Sequence, residues 1–463
     1  MTTRRFTLTL AGAATLAAAA PALLPAPLAH GELRAQEPGR IATETYSLPN
    51  GLRVVLAEDH SSQVVAVDVW YDVGSRNERA GRTGFAHLFE HMMFQGSAHV
   101  KKAEHLQLVE RAGGSLNGST SFDRTNYFEA VPSNRLNLAL WLEADRMRSL
   151  AVTDSNFHNQ REAVKEERRL RVDNQPYMTA FWEVTNAAFD SATCFPYSHS
   201  VIGSMDDLNA ATTEDVRAFF EQYYAPNNAT LTIAGDFDPA DAKRLVDEYF
   251  GGIPSARKAP AVSCAQRFDT GLQRRRVTDA KATLPATLQI YRVPAYDHAD
   301  TPALELLATI LGQGESSRLN RALAREAKAA VATQTFMNPF GPRRGPGIFA
   351  ALGIANQGVK IDSLDALLSA QVARVAAEGV SDAELTKAKN SYRASLVNDR
   401  QRQLSIAEAL QTSTMFLGDP NAVNTQLERY MKVTADDVKR VAATYLRPDN
   451  AVIIIVTPPE VQP

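Results

Sequence analysis

Short apolar runs separated by turn signals organise the first part of the chain. Residues 45–48 and 52–56 flank Asn50-Gly51, a dipeptide suited to the tight turn of a hairpin, and a β-rich stretch follows at 63–73. Between Gly84 and Phe94 the pattern changes. Phe85, Ala86, Leu88, Phe89, Met92, Met93 and Phe94 surround three polar residues, His87, Glu90 and His91, as expected of a helix buried on most sides. Over 157–172, Phe157, Ala163, Val164 and Leu170 make an apolar stripe at about 100° per residue. Glu167 falls near its centre, Glu162 almost opposite and Glu166 on the flank.

The later part repeats the earlier one. Thr212, Val216, Arg217, Tyr223, Pro226, Asn228 and Ala229 recur as Thr434, Val438, Lys439, Tyr445, Pro448, Asn450 and Ala451, at the single offset 434 − 212 = 222. Each copy reads as a helix, a Pro-Asn turn and an apolar strand at 229–234 or 451–456. The predicted fold is α+β: two duplicated α/β domains with antiparallel-rich sheets covered by helices, at 41–250 and 286–460. The stretch 251–285, with scattered Pro, Arg and Lys, is expected to link them.

His87-Leu88-Phe89-Glu90-His91 carries the chemistry. Residues four apart share a helix face, so His87 and His91 can hold one metal ion while Glu90 lies between them as general base or acid. This is the H-x-x-E-H order, the reverse of the commoner zinc-peptidase motif. Two surface histidines with a solvated Glu would be the bland alternative, but the apolar surroundings disfavour unpaired charge there. A catalytic zinc needs a third protein ligand. Glu167, a carboxylate centred on a core-facing stripe, is the first candidate and Glu166 the reserve, with a solvated charge face over 162–171 as the ordinary alternative.

Residues 70–97, with Gly74 to Glu78, the Gly81-Arg82-Thr83-Gly84 turn and the His pair, closely resemble the M16 peptidases, a family that includes pitrilysin, insulin-degrading enzyme and the mitochondrial processing peptidase. The resemblance spans about 41–460. It implies an inverzincin half-clamshell whose third ligand lies about seventy-five residues beyond the second His, and 167 − 91 = 76 fits Glu167. It also implies that 113–125, with Gly113, Gly114 and Gly118 around a Ser/Thr-rich strand, forms an edge on which an extended peptide lies, with Asn117, Gly118 and Ser119 contacting substrate. The expected function is a zinc-dependent endopeptidase with one Zn2+ per chain on His87, His91 and Glu167, cutting extended peptides or unfolded segments with Glu90 as general base. The 301–318 region stands in the metal helix's place in the second repeat without a His pair, so 41–250 is expected to catalyse and 286–460 to support. Short members of the family resemble subunits that pair, which implies a homodimer or a heterodimer with a related chain around a substrate chamber. An Arg and a Tyr of the second half, implied for substrate holding, have no evident match. The competing reading is a noncatalytic assembly or peptide-binding subunit. Such subunits usually lose the metal set, and all four positions are present here.

Arg4 and Arg5 precede a charge-free run over 6–29 interrupted by Pro21, Pro25 and Pro27, which predicts a signal peptide within 1–35 and a periplasmic or extracellular protein rather than an anchored one. A net charge of −3 gives no reason to expect nucleic-acid binding. Cys194 and Cys264 are too few for a disulfide scaffold and are expected either to pair or to stay as buried thiols. His99, His105 and His158 are expected at the surface or near the site, not as ligands.

Overall fold

The computed structural model describes residues 39–459 apart from 266, 269 and 339–342, so the leader expected at 1–35 lies outside the described residues. Its strands are β1 (Glu44–Ser47), β2 (Arg53–Glu58), β3 (Val64–Tyr71), β4 (Ser115–Thr120), β5 (Thr125–Pro132), β6 (Ala229–Gly235), β7 (Gln273–Thr278), β8 (Ala286–Val293), β9 (Ala330–Met337), β10 (Gly347–Ala355) and β11 (Ala451–Thr457). They form one sheet in the order β1-β2-β6-β3-β5-β4 and a second in the order β7-β11-β8-β10-β9. Pairing is antiparallel except for β2 with β6 and β7 with β11, so the second sheet repeats the topology of the first apart from β1.

Alternation along the strands sorts side chains into separate cores. Val54 and Leu56 of β2 join the core beneath the His-pair helix, whereas Val55 and Ala57 face a smaller cluster on the opposite side. In β11, Ile453 and Ile455 enter one core, and Val452, Ile454 and Val456 another. Both repeats place a helix after an N-cap Thr whose side chain accepts from the N–H three residues on, at Thr212 with Asp215 and at Thr434 with Asp437.

The outer face of each sheet is covered by a helix from the other half. Helix Gln403–Leu417 lies on β3 and β6, burying Ile406, Ala407 and Leu410, and Gln411 Nε2 donates to the carbonyls of Asp68 and Thr230, each at 2.8 Å. Helix Met178–Ala188 packs on β8 and β11. The two are related by the repeat, since 403 − 222 = 181 falls inside the second. Exposing Ile406 and Leu410 alone would cost about 3–6 kcal/mol, a large share of a typical domain's stability.

Two sequence expectations change here. The stretch 251–285 is not all linker, because 273–278 is β7, edge strand of the second sheet. The apolar stripe over 157–172 is not continuous either. Ala163 and Leu170 are exposed, whereas Phe157, Gln160, Val164 and Val172 are buried. A π-helical turn at Arg169–Asp173 shifts the phase after helix Asp154–Arg168, turning Leu170 outward and Val172 inward.

Candidate metal centre

Helix Phe85–Met92 buries Phe85, Ala86, Leu88, Phe89 and Met92, which leaves His87, Glu90 and His91 along its open face. Its start is fixed by Glu78, whose buried carboxylate accepts from the N–H groups of Gly84 (2.9 Å) and Ala86 (2.7 Å) that no helical carbonyl satisfies. Gly84 has φ 88°, and a Cβ there would meet Ile202 O at 2.7 Å, so glycine is required at that entry.

Glu167 meets the pair from helix Asp154–Arg168. Its Oε2 lies 3.6 Å from His87 Nε2 and 3.1 Å from His91 Nε2, while Oε1 takes an ion pair from Arg171 at 3.0 Å. Glu166 points elsewhere, to Arg169, so the reserve assignment has no support. Donors bound at 2.0–2.1 Å to a tetrahedral zinc stand about 3.3 Å apart, which 3.1 and 3.6 Å bracket. Two imidazole nitrogens and a carboxylate oxygen are also a donor set zinc accepts, so these residues fit the ion.

Charge is arranged to match. Burial, aided by repulsion from His91, takes His87 down to about 4, which keeps its ring neutral. Burial opposes protonation of His91 as well, but the Glu167 carboxylate outweighs it and raises that ring; Glu167 in turn is lowered, first by the hydrogen bond from His91. Gln160, buried on the helix that carries Glu167, also favours the protonated His91 ring, as an outer group that orients a ligating ring would. His87 Nδ1 is buried with no partner among the described residues.

Glu90 faces the edge strand. Its Oε2 accepts from Thr120 Oγ1 at 2.5 Å, and burial pushes its carboxyl up against that bond. Gly118 lies directly alongside: a Cβ there would stand 3.3 Å from Glu90 Cγ and 3.2 Å from Tyr127 Cδ1. β4 ends its sheet, and no strand among the described residues pairs with its outer side. The three expected substrate-contact residues differ from one another. Asn117 is exposed and its Oδ1 accepts the Gly118 N–H at 2.9 Å, Gly118 forms the floor beside Glu90, and the Ser119 hydroxyl is turned into the hairpin, donating to Asn126 Oδ1 at 2.7 Å.

A cavity of about 560 Å³ opens in front of this centre, lined by His87, Glu167, Thr120 and Arg124 and, from the later half, by Arg343, Glu408 and Phe416. Arg343 is placed there by Asp123 in the β4–β5 turn. That buried carboxylate accepts from Arg76 (2.9 Å) and Tyr197 OH (2.8 Å) on one oxygen and from the N–H groups of Arg343 and Arg344 on the other. The Arg343 guanidinium then lies over Tyr296 and Phe416. Sequence reading missed Glu78 as a cap, Gln160, Thr120 and these second-half residues. Gln160 shares the stripe of Phe157 and Val164 and Thr120 follows Gly118 by two, so both had a local signal; Arg343 had none. Of the remaining histidines, His105 is not at the surface but in the core, its Nε2 2.8 Å from Glu129, beside the Glu143–Arg146 ion pair.

The family model described as Insulinase (Peptidase family M16) matches residues 53–195, and the one described as Peptidase M16 inactive domain matches 210–392. The zinc protease PqqE of Helicobacter pylori is 30% identical over 90% of this chain and 93% of its own. The crystal structure of a protease from Helicobacter pylori superposes with a TM-score of 0.85 at 28% identity, covering 90% of this chain and 100% of that one. The periplasmic protease PqqL of Escherichia coli shares the fold at a TM-score of 0.73 and 19% identity; 90% of this chain covers 47% of that one. With both halves matched by family models and a relative of 30% identity along nearly its whole length, the chain belongs to the M16 family of peptidases.

Proposed function

We propose that this protein is a zinc-dependent endopeptidase acting on extended peptides or unfolded polypeptide segments. The observation that carries the reading is the convergence of His87, His91 and Glu167, with Glu90 alongside and an unpaired strand edge next to them. One zinc ion per chain, when bound, supplies a Lewis acid and brings a water's pKa toward about 7. The chain's own residues do the rest. A substrate strand adds to β4 through main-chain hydrogen bonds, taking the Gly118 N–H from the Asn117 side chain. Glu90, raised by burial and steadied by Thr120, takes a proton from the attacking water and delivers it to the leaving amine. Relatives carrying the name zinc protease support this reading.

Two further proposals accompany it. The chain is exported behind its leader, which the Cys194–Cys264 disulfide favours because such bonds persist in oxidising compartments. It works as a dimer, with itself or a related chain, a reading supported by the match of 90% of this chain to 47% of PqqL. Incubation with a quenched unstructured peptide, followed by mass mapping of the products, tests the activity. Internal cuts by wild type and none by Glu90→Gln are expected; terminal trimming only, or equal cutting by both, would refute the mechanism.

A further inference from the structure

β8 is buried along its whole length, and its one charged residue, Arg292, is only 3% exposed. Three arginines are buried among the described residues, and the other two have carboxylates against them: Arg76 has Asp72 and Asp123, and Arg146 has Glu143. Arg292 has none within ion-pair distance among the described residues. Its Nε donates to Ala188 O at 2.6 Å and its Nη1 to Asn450 O at 3.2 Å. Two neutral carbonyls satisfy hydrogen bonds but do not balance the charge, and an unpaired buried cation costs several kcal/mol.

The side chain borders a cavity of about 550 Å³ that also takes in Arg275 of β7, Arg267, Asp190 and Thr193. Arg275 is exposed, with no ion pair among the described residues. Asp190 is already used locally, accepting from the Ala192 N–H at 2.9 Å and from the Thr193 hydroxyl at 3.2 Å. The walls are tied together: Ala265 N–H donates to Thr193 O at 3.1 Å, next to the Cys194–Cys264 disulfide. A pocket with a buried guanidinium that no carboxylate of the described residues pairs, and a second, exposed one on its lining, is matched to an oxyanion, because the planar fork pairs with carboxylate or phosphate oxygens.

We propose that this cavity binds a small oxyanion, a phosphate or a carboxylate, through Arg292 and Arg275. Titration calorimetry of the purified protein with inorganic phosphate and then succinate, at fixed ionic strength, tests it. Saturable one-to-one binding no weaker than about 1 mM is expected. Arg275→Ala, a change at an exposed position, should weaken it about tenfold, and Arg292→Gln should abolish it wherever the variant still melts cooperatively. Displacement of phosphate by a free-acid peptide but not its C-terminal amide, measured in the Glu90→Gln protein, would identify a peptide carboxyl terminus as the source. No displacement would identify a free anion, and either result upholds the site. Absence of saturable heat with both anions, or undiminished affinity in Arg275→Ala, would overturn it.

Discussion

Glu90 works in a space shaped by its neighbour. Gly118 leaves it just enough room, and a branched side chain at that position would press on Glu90 Cγ and Tyr127 together. Gly118→Val is therefore expected to lower kcat about 10–100-fold, the scale of a misplacement near 1 Å, with zinc content unchanged; loss of zinc would show that the strand supports the ligands instead. A second prediction concerns His105. Burial, with the Arg146 charge adding to it, takes this ring down to about 3. Below pH about 6.5 the unfolded chain binds a proton that the folded one refuses, so stability falls as pH drops from about 6.5 toward 3, by at most about 1.4 kcal/mol per pH unit. Urea unfolding across that range should show a shallower dependence in His105→Gln than in wild type. At this scale the sequence was most legible for the His pair and Glu90, where spacing within one helix decides the geometry. Ser119 lines the cavity although its hydroxyl serves its own hairpin, and the surface alternative fails for His105, whose burial depends on strands and helices distant in the chain.

Among the elements, the hairpin at Asn50-Gly51 and the two Pro-Asn turns were readable because local turn chemistry dictates them. β7 was not, since its exposed Arg274-Arg275-Arg276 pattern gives no strand signal and its pairing with β11 spans most of the second half. Nor was the π-helical turn after Glu167, which breaks the regular period on which stripe arguments rest. The exchange of covering helices between the halves left no trace in composition, but it has a direct consequence. A fragment ending at residue 250 lacks helix Gln403–Leu417 and leaves the apolar outer face of its sheet uncovered. Such a fragment is expected to aggregate or unfold, and a cooperative melt near that of the whole chain would contradict this.

For the whole molecule, the disulfide closes a sequence separation of 70 residues. A loop of that length removes about 4 kcal/mol of unfolded-chain entropy, so Cys194→Ser with Cys264→Ser should lower the unfolding free energy by roughly 2–5 kcal/mol while leaving the metal centre assembled; an unchanged denaturation midpoint would mean that the bond does not form in the protein. Light scattering of the purified chain addresses the proposed pairing, with a dimer expected and an active monomer excluding a chamber built from two chains. The duplicated architecture was visible as a repeat, whereas the joint cleft, to which the second half brings Arg343 and Phe416, arises only when the chain folds back on itself. The central claim is that three side chains hold zinc and a fourth moves the proton. Metal content and peptide hydrolysis measured side by side on wild type, Glu90→Gln and Glu167→Ala test it most directly. The expected result is one zinc per chain with activity in wild type, zinc without activity in Glu90→Gln, and neither in Glu167→Ala. Activity that survives in Glu90→Gln, or zinc held as tightly without Glu167, would contradict it.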